Sequence, residues 1–82
     1  MKDLYRILDI PTNANGATID KSYRRLAFRH HPDRNRGDPD SEATFRDIAE
    51  AYAILRDPQK RGIYDKFGYE TVSESNEAID PV

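Results

Sequence analysis

The chain has 82 residues, 37% of them hydrophobic and 34% charged, with a formal net charge of −2 and no cysteine. That is enough for one small core, and it excludes disulfide staples, Cys-based zinc sites and a thiol nucleophile. No apolar run approaches the roughly 20 residues a membrane span needs, and Met1-Lys2-Asp3 does not open a secretory signal. The expected setting is therefore cytoplasmic, with nuclear or organellar compartments also compatible, and no membrane contact.

Charge is unevenly spread. Residues 69–82 carry Glu70, Glu74, Glu77 and Asp80 without a base, so the rest of the chain is net positive. From Lys21 to Arg36 the bases Lys21, Arg24, Arg25, Arg29, Arg34 and Arg36 face one acid, Asp33, with His30 and His31 among them. The field of the molecule is concentrated there.

In chain order, Asp3 can cap a short helix from Leu4 to about Asp9, with Leu4, Ile7 and Leu8 at helical spacing and Pro11 closing it. Thr12-Asn13-Ala14-Asn15-Gly16 is rich in turn residues, and either asparagine can cap the second helix. From about Gly16 to His30, the residues Ile19, Tyr23, Leu26, Ala27 and His30 repeat at helical intervals and define an apolar stripe. At about 100° per residue, Lys21, Arg24, Arg25 and Arg29 fall on the opposite side. Phe28 projects among these bases, which is the composition of a contact surface.

Residues 31–40 contain two prolines and a glycine and no large apolar residue, so they form a loop. Asp38 or Asp40 caps the next helix, with Pro39 in its first turn, and Phe45, Ile48, Ala49, Tyr52 and Leu55 on one stripe to about Arg56. Core packing is the primary expectation for Phe45 and Tyr52, and His30 is expected as a packed histidine on the buried stripe. Two helices of similar length joined by such a loop pack most simply as an antiparallel hairpin. Asp57-Pro58 opens a last helix to Lys66 or Phe67, ended by Gly68, with Gln59, Lys60, Arg61 and Asp65 expected to brace it through weak surface charge pairs. Beyond Gly68 the chain turns polar and acidic, and a disordered tail or linker is expected over residues 69–82.

The loop carries His31-Pro32-Asp33. Pro32 lacks a backbone N–H and stops the preceding helix, and its ring pushes His31 toward the extended region, away from the helix track. Asp33 offers carboxylate oxygens that suit an Arg fork. The product is a stiff polar hook beside a basic helix face. A lone tripeptide is a weak signal; its context is not.

Taken together, Leu4-Tyr5-Arg6-Ile7-Leu8, the stretch Ile19 to Ala27, His31-Pro32-Asp33-Arg34-Asn35, the stretch Phe45 to Tyr52, Gln59-Lys60-Arg61 and Tyr64-Asp65 resemble a J-domain, the signature module of DnaJ-type co-chaperones. The resemblance covers nearly all of residues 3–68 and implies an all-α, four-helix fold over residues 1–68, with the tripeptide at the tip of an antiparallel hairpin of the second and third helices. It implies a monomeric domain that binds a DnaK-type heat-shock chaperone in its ATP state and stimulates that partner's ATP hydrolysis, promoting client capture. By the same resemblance, Lys21, Arg24, Arg25 and Arg29, with Tyr23 at their edge, meet an acidic surface on the chaperone. His31, Pro32 and Asp33 reach the junction of its domains, and Arg34, Asn35 and Phe45 support the contact. Two residues depart from the pattern: Asp20, an acid near the start of the basic face, and Gly62, where alanine is common.

Other classes fit less well. His30, His31 and Asp33 are too close together to chelate one metal ion easily, with no further His or Cys to complete a site, so no metal or other cofactor is expected. There is no phosphate-binding glycine loop and no nucleophile signature, so the chain is expected to activate an ATPase rather than to be an enzyme. Nucleic-acid binding by the basic helix is opposed by a sequence pI near 5.6 and by a loop longer than a helix-turn-helix uses.

Overall fold

A computed structural model describes residues 2–72. Its helices are α1 (Leu4–Ile7), α2 (Gly16–Arg29), α3 (Pro39–Leu55) and α4 (Pro58–Phe67). Each starts on an extended residue whose side-chain oxygen takes up orphan N–H groups of the first turn. Asp3 accepts from the Arg6 amide at 3.2 Å, and of the two asparagines it is Asn15 that caps α2, accepting from Thr18 at 2.9 Å. Asp38 caps α3 and Asp57 caps α4, each followed by proline, which has no N–H to satisfy.

The first helix is shorter than its apolar spacing suggests. It ends at Ile7, Leu8 forms its C-cap, and Asp9 takes a left-handed φ of 55°. Aspartate tolerates that region better than most residues. The reversal at Asp9 stops the helix before Pro11 does.

Helices α2 and α3 lie antiparallel. Near the middle of the pair the ring of Tyr23 stacks on Tyr52 with centroids 3.9 Å apart, and beyond the end of α2 His31 meets Phe45 near the start of α3. Partner numbers rise on one strand of the hairpin as they fall on the other. The core between the helices holds Leu4, Tyr5 and Leu8 from the first segment, Ala14 and Ile19, then Ile48, Ala51, Ile54 and Leu55 from α3. Burying a Leu or Ile side chain is worth about 1.5–3 kcal/mol, so this cluster is the main stabiliser of a small domain. Helix α3 contributes more of it than any other helix, and α1, α2 and α4 all contact α3.

By contrast, α4 buries no residue fully. Ile63 and Tyr64 pack partly against the core, and polar links supply the rest of its attachment. The Tyr64 hydroxyl accepts from the Leu4 amide at 3.0 Å and donates to the Lys2 carbonyl at 3.2 Å. The Tyr5 hydroxyl donates to Asp65 at 2.6 Å, and Arg61 donates to the same hydroxyl at 3.1 Å and to the Thr12 carbonyl at 3.0 Å. Arg61 and Asp65 are therefore not merely surface braces within their own helix. They converge on one phenol and join α4 to α1.

The packed body also continues past Gly68. Residues 69–72 are helical, the Val72 side chain is fully buried in the core, and the Tyr69 hydroxyl donates to Glu50 at 2.8 Å. A single valine and tyrosine give too short a periodic signal to mark this turn in the sequence. The remainder of the acidic segment lies outside the described residues.

Candidate interaction site

Helix α2 places its bases where the projection puts them. Lys21, Arg24, Arg25 and Arg29 are all exposed, while Ile19 is buried and Tyr23, Leu26 and Ala27 are half-buried. Lys21, Arg24 and Arg29 form no ion pair with another described residue. Arg25 is more constrained: it donates to Ser22 Oγ at 3.2 Å and lies 3.8 Å from Asp9. Ser22 is itself buried, its hydroxyl donating to the Leu8 carbonyl. Serine on a basic helix face carries no signal of this kind in the sequence, yet here it ties α2 to the end of α1.

Tyr23 sits inside the hairpin more than at the edge of the basic face, with its ring flat against Tyr52. The Tyr52 hydroxyl donates to Asp20 at 2.9 Å. That bond, followed by burial, raises the Tyr52 pKa above the usual tyrosine value. Asp20 thus has a structural partner on α3, which accounts for an acid close to the basic face. Gly62, the other departure, is exposed and has no atom within 4 Å of where a Cβ would lie.

At the end of α2, His30 forms the C-cap and is half-buried, in keeping with its place on the stripe. The chain then folds into a tight, internally bonded loop. The His31 carbonyl accepts from the amides of Arg34 at 3.0 Å and Asn35 at 3.2 Å. The Asn35 side-chain amide donates to the same carbonyl and to that of Arg29, both at 3.1 Å. Asn35 therefore staples the loop to the last turn of α2, and its side-chain donors point inward. Gly37, with φ of 79°, provides the left-handed turn leading to the Asp38 cap.

His31 is presented, but not freely. Its Nδ1 accepts the Asp33 backbone N–H at 3.1 Å, and its ring meets Phe45 edge-on with centroids 5.4 Å apart. Phe45 is half-buried and stands outside the core cluster, so the core expectation for it fails. It lies near the start of α3, beside the loop and ahead of the apolar layer, which begins at Ile48. The Asp33 side chain is 80% exposed and accepts no hydrogen bond from a described residue. Pro32 and Arg34 are exposed as well. The Arg34 guanidinium lies over the Phe28 ring at 4.4 Å from the centroid, and Phe28 is 66% exposed. This pairing crosses from loop to helix and joins the basic face to the tripeptide.

The structure thus brings the expected residues into two connected groups. Lys21, Arg24, Arg25 and Arg29 form the helix face. His31, Pro32 and Asp33 form the projecting loop, with Arg34 and Phe28 between them. Tyr23, Asn35 and Phe45 lie behind these groups and hold them in place. What the arrangement offers chemically is attraction for an acidic surface and one exposed carboxylate that accepts no hydrogen bond from a described residue.

Residues 3–65 match the DnaJ domain family. The chain is 52% identical over 69 residues to "DnaJ homolog subfamily B member 5" of Homo sapiens, covering 84% of this chain and 20% of that protein. It is 54% identical over 67 residues to "Chaperone protein DnaJ" of Gluconacetobacter diazotrophicus, covering 82% of this chain and 18% of that one. The chain therefore spans about a fifth of the length of these relatives. Among solved structures, the J-Trx1 fragment of ERdj5 superposes with a TM-score of 0.77 at 32% identity, over 83% of this chain and 33% of that one.

Proposed function

The chain belongs to the DnaJ domain family, and we propose that it acts as a co-chaperone module that binds a DnaK-type chaperone in its ATP state and stimulates hydrolysis there. One observation carries the proposal: the Asp33 carboxylate stands exposed, with the His31 ring 3.8 Å from it, on a loop whose first turn is bonded back to His31. The Asp33 amide is already held by His31, so a charge-assisted contact through the carboxylate has mainly the side chain left to order on binding.

The division of labour rests on exposure. Solvated bases on α2, namely Lys21, Arg24, Arg25 and Arg29, chiefly raise the rate of encounter with an acidic partner surface. His31, Pro32, Asp33 and Arg34 make the contacts that distinguish one partner state from another, while Tyr23, Asn35 and Phe45 keep the two groups in register. An effector can move a partner's equilibrium only by binding one state better than the other. A hydrogen bond to a charged group, worth about 1.5–3 kcal/mol, corresponds to roughly a ten- to hundred-fold preference. The domain works as a monomer in this scheme, and the ATP chemistry is the partner's.

The test is a single-turnover ATPase assay of several DnaK-type chaperones with and without this chain. Acceleration of hydrolysis in at least one supports the proposal; no acceleration in any of them contradicts it.

A further inference from the structure

The His31 ring is held by an asymmetric set of contacts. Nδ1 lies 3.1 Å from the backbone nitrogen of Asp33, the first amide after Pro32 that has a hydrogen to give. A backbone N–H can only donate, so Nδ1 must be the acceptor, and the neutral ring must carry its proton on Nε2. The ring packs edge-to-face with Phe45 at 5.4 Å between centroids and 75° between planes. The Asp33 carboxylate also lies toward Nδ1, 3.8 Å from it, so both Asp33 groups near the ring face this nitrogen. Among the described residues Nε2 has no hydrogen-bond partner, and the His31 side chain is 47% exposed.

We propose that His31 is a one-directional hydrogen-bond donor: its inward Nδ1 fixes the Asp33 amide and the Nε2–H tautomer, and its outward Nε2–H is offered to an acceptor oxygen on the chaperone. The outward half rests on the function proposed above; the inward half does not. The geometry resembles an Asx turn, with imidazole nitrogen in place of a side-chain oxygen and Pro32 as the stiff central residue. It ties the two ends of the tripeptide together. His31 sets the backbone from which the Asp33 carboxylate projects, and Asp33 sets which nitrogen of His31 is free to donate. The chaperone group facing Nε2 is then an acceptor, a carbonyl or carboxylate oxygen, and not a donor.

Nitrogen NMR of the full 82-residue chain tests the inward half directly. In its neutral form the His31 ring should show an unprotonated Nδ1 and a protonated Nε2, with the Asp33 amide protected from exchange. A protonated Nδ1, or an Asp33 amide exchanging as fast as an open loop residue, overturns it. His31→Asn places an acceptor near the Nδ1 position without an outward ring nitrogen, whereas His31→Gln reaches outward without the short acceptor. Asp33 amide protection should survive in His31→Asn and be lost in His31→Gln. Stimulation of chaperone ATP hydrolysis should fall at least about tenfold in both, equivalent to about 1.4 kcal/mol. Full stimulation by His31→Asn overturns the outward donor while leaving the functional proposal intact. Absence of stimulation by the unaltered chain overturns that proposal and the outward half with it, while the tautomer stands or falls on the spectra.

Discussion

Tyr23 lies flat on Tyr52, with ring centroids 3.9 Å apart and planes inclined by 9°. This stack joins α2 to α3 near the middle of the hairpin, level with the core residues of α3, so it helps to set how rigidly the hairpin carries its tip. Aromatic pairs contribute about 0.5–1.5 kcal/mol beyond the area they bury. Tyr23→Ala should lower stability to urea unfolding by about 2 kcal/mol, from lost burial and lost stacking together. Tyr52→Phe keeps the ring and removes only the bond to Asp20, so its loss should be distinctly smaller. Equal losses in the two variants would show that the hydroxyl, not the stack, holds the helices.

Tyr5 offers a pH-dependent counterpart at the other end of the molecule. Burial, then the hydrogen bond to Asp65, raises its pKa above the usual tyrosine value of 10.0. In the unfolded chain the phenol ionises first as pH rises, so the unfolded state is favoured by alkali. The stability from this group is fully present below pH 10 and is lost as pH climbs from there through the higher folded value. Tyr5→Phe should cost about 1 kcal/mol at neutral pH, the worth of a typical hydrogen bond. It should also flatten the alkaline limb of the stability profile, measured by thermal unfolding at stepped pH. An unchanged alkaline limb would mean that Tyr5 is not the group responsible.

Asn35 joins the loop to α2 through the carbonyls of Arg29 and His31. Removing that amide leaves the Arg29 carbonyl at the helix end to water and takes one of three donors from the His31 carbonyl, while the core remains untouched. Asn35→Ala should therefore reduce stability by no more than about 1–2 kcal/mol, yet lower chaperone stimulation severalfold by letting the loop move. Faster amide exchange confined to residues 31–36 would locate the effect. Uniformly faster exchange across the core would contradict it.

The basic face can be separated from the loop by kinetics. Arg24→Glu combined with Arg25→Glu should slow association with the chaperone by more than tenfold at low salt and flatten its salt dependence, with a smaller change in dissociation. Arg25 also braces Ser22 and Asp9, so Arg24→Glu alone is the cleaner variant. Dissociation changing as much as association would assign these residues to the bound complex instead of the encounter.

Much of this structure is legible locally. Asp3, Asn15, Asp38 and Asp57 all precede helices with the side chains that caps require, and Pro39 and Pro58 stand where a missing N–H does no harm. The tripeptide loop and the exposed bases of α2 are equally readable from Pro32 and from helical periodicity. What escapes the sequence is the set of long-range partnerships. Nothing near Arg61 and Asp65 indicates that both reach Tyr5, and nothing near Ser22 indicates the Leu8 carbonyl. Phe45 fits an apolar stripe by spacing, but its level along α3 puts it beside His31 and outside the core. Val72 is one apolar residue in a polar stretch, and only the shape of the core shows that a place is kept for it.

The central claim is that the exposed Asp33 carboxylate is the decisive contact of a loop whose first turn is bonded back to His31 and Arg29. Single-turnover ATP hydrolysis by a DnaK-type chaperone, stimulated by the unaltered chain and by Asp33→Asn at equal concentration, tests it most directly. That substitution removes one charge and keeps the side chain's size, so circular dichroism and the melting transition should be unchanged. Stimulation should fall by about ten- to hundred-fold, as expected for loss of a charge-assisted bond. Full stimulation by a folded Asp33→Asn would contradict the account.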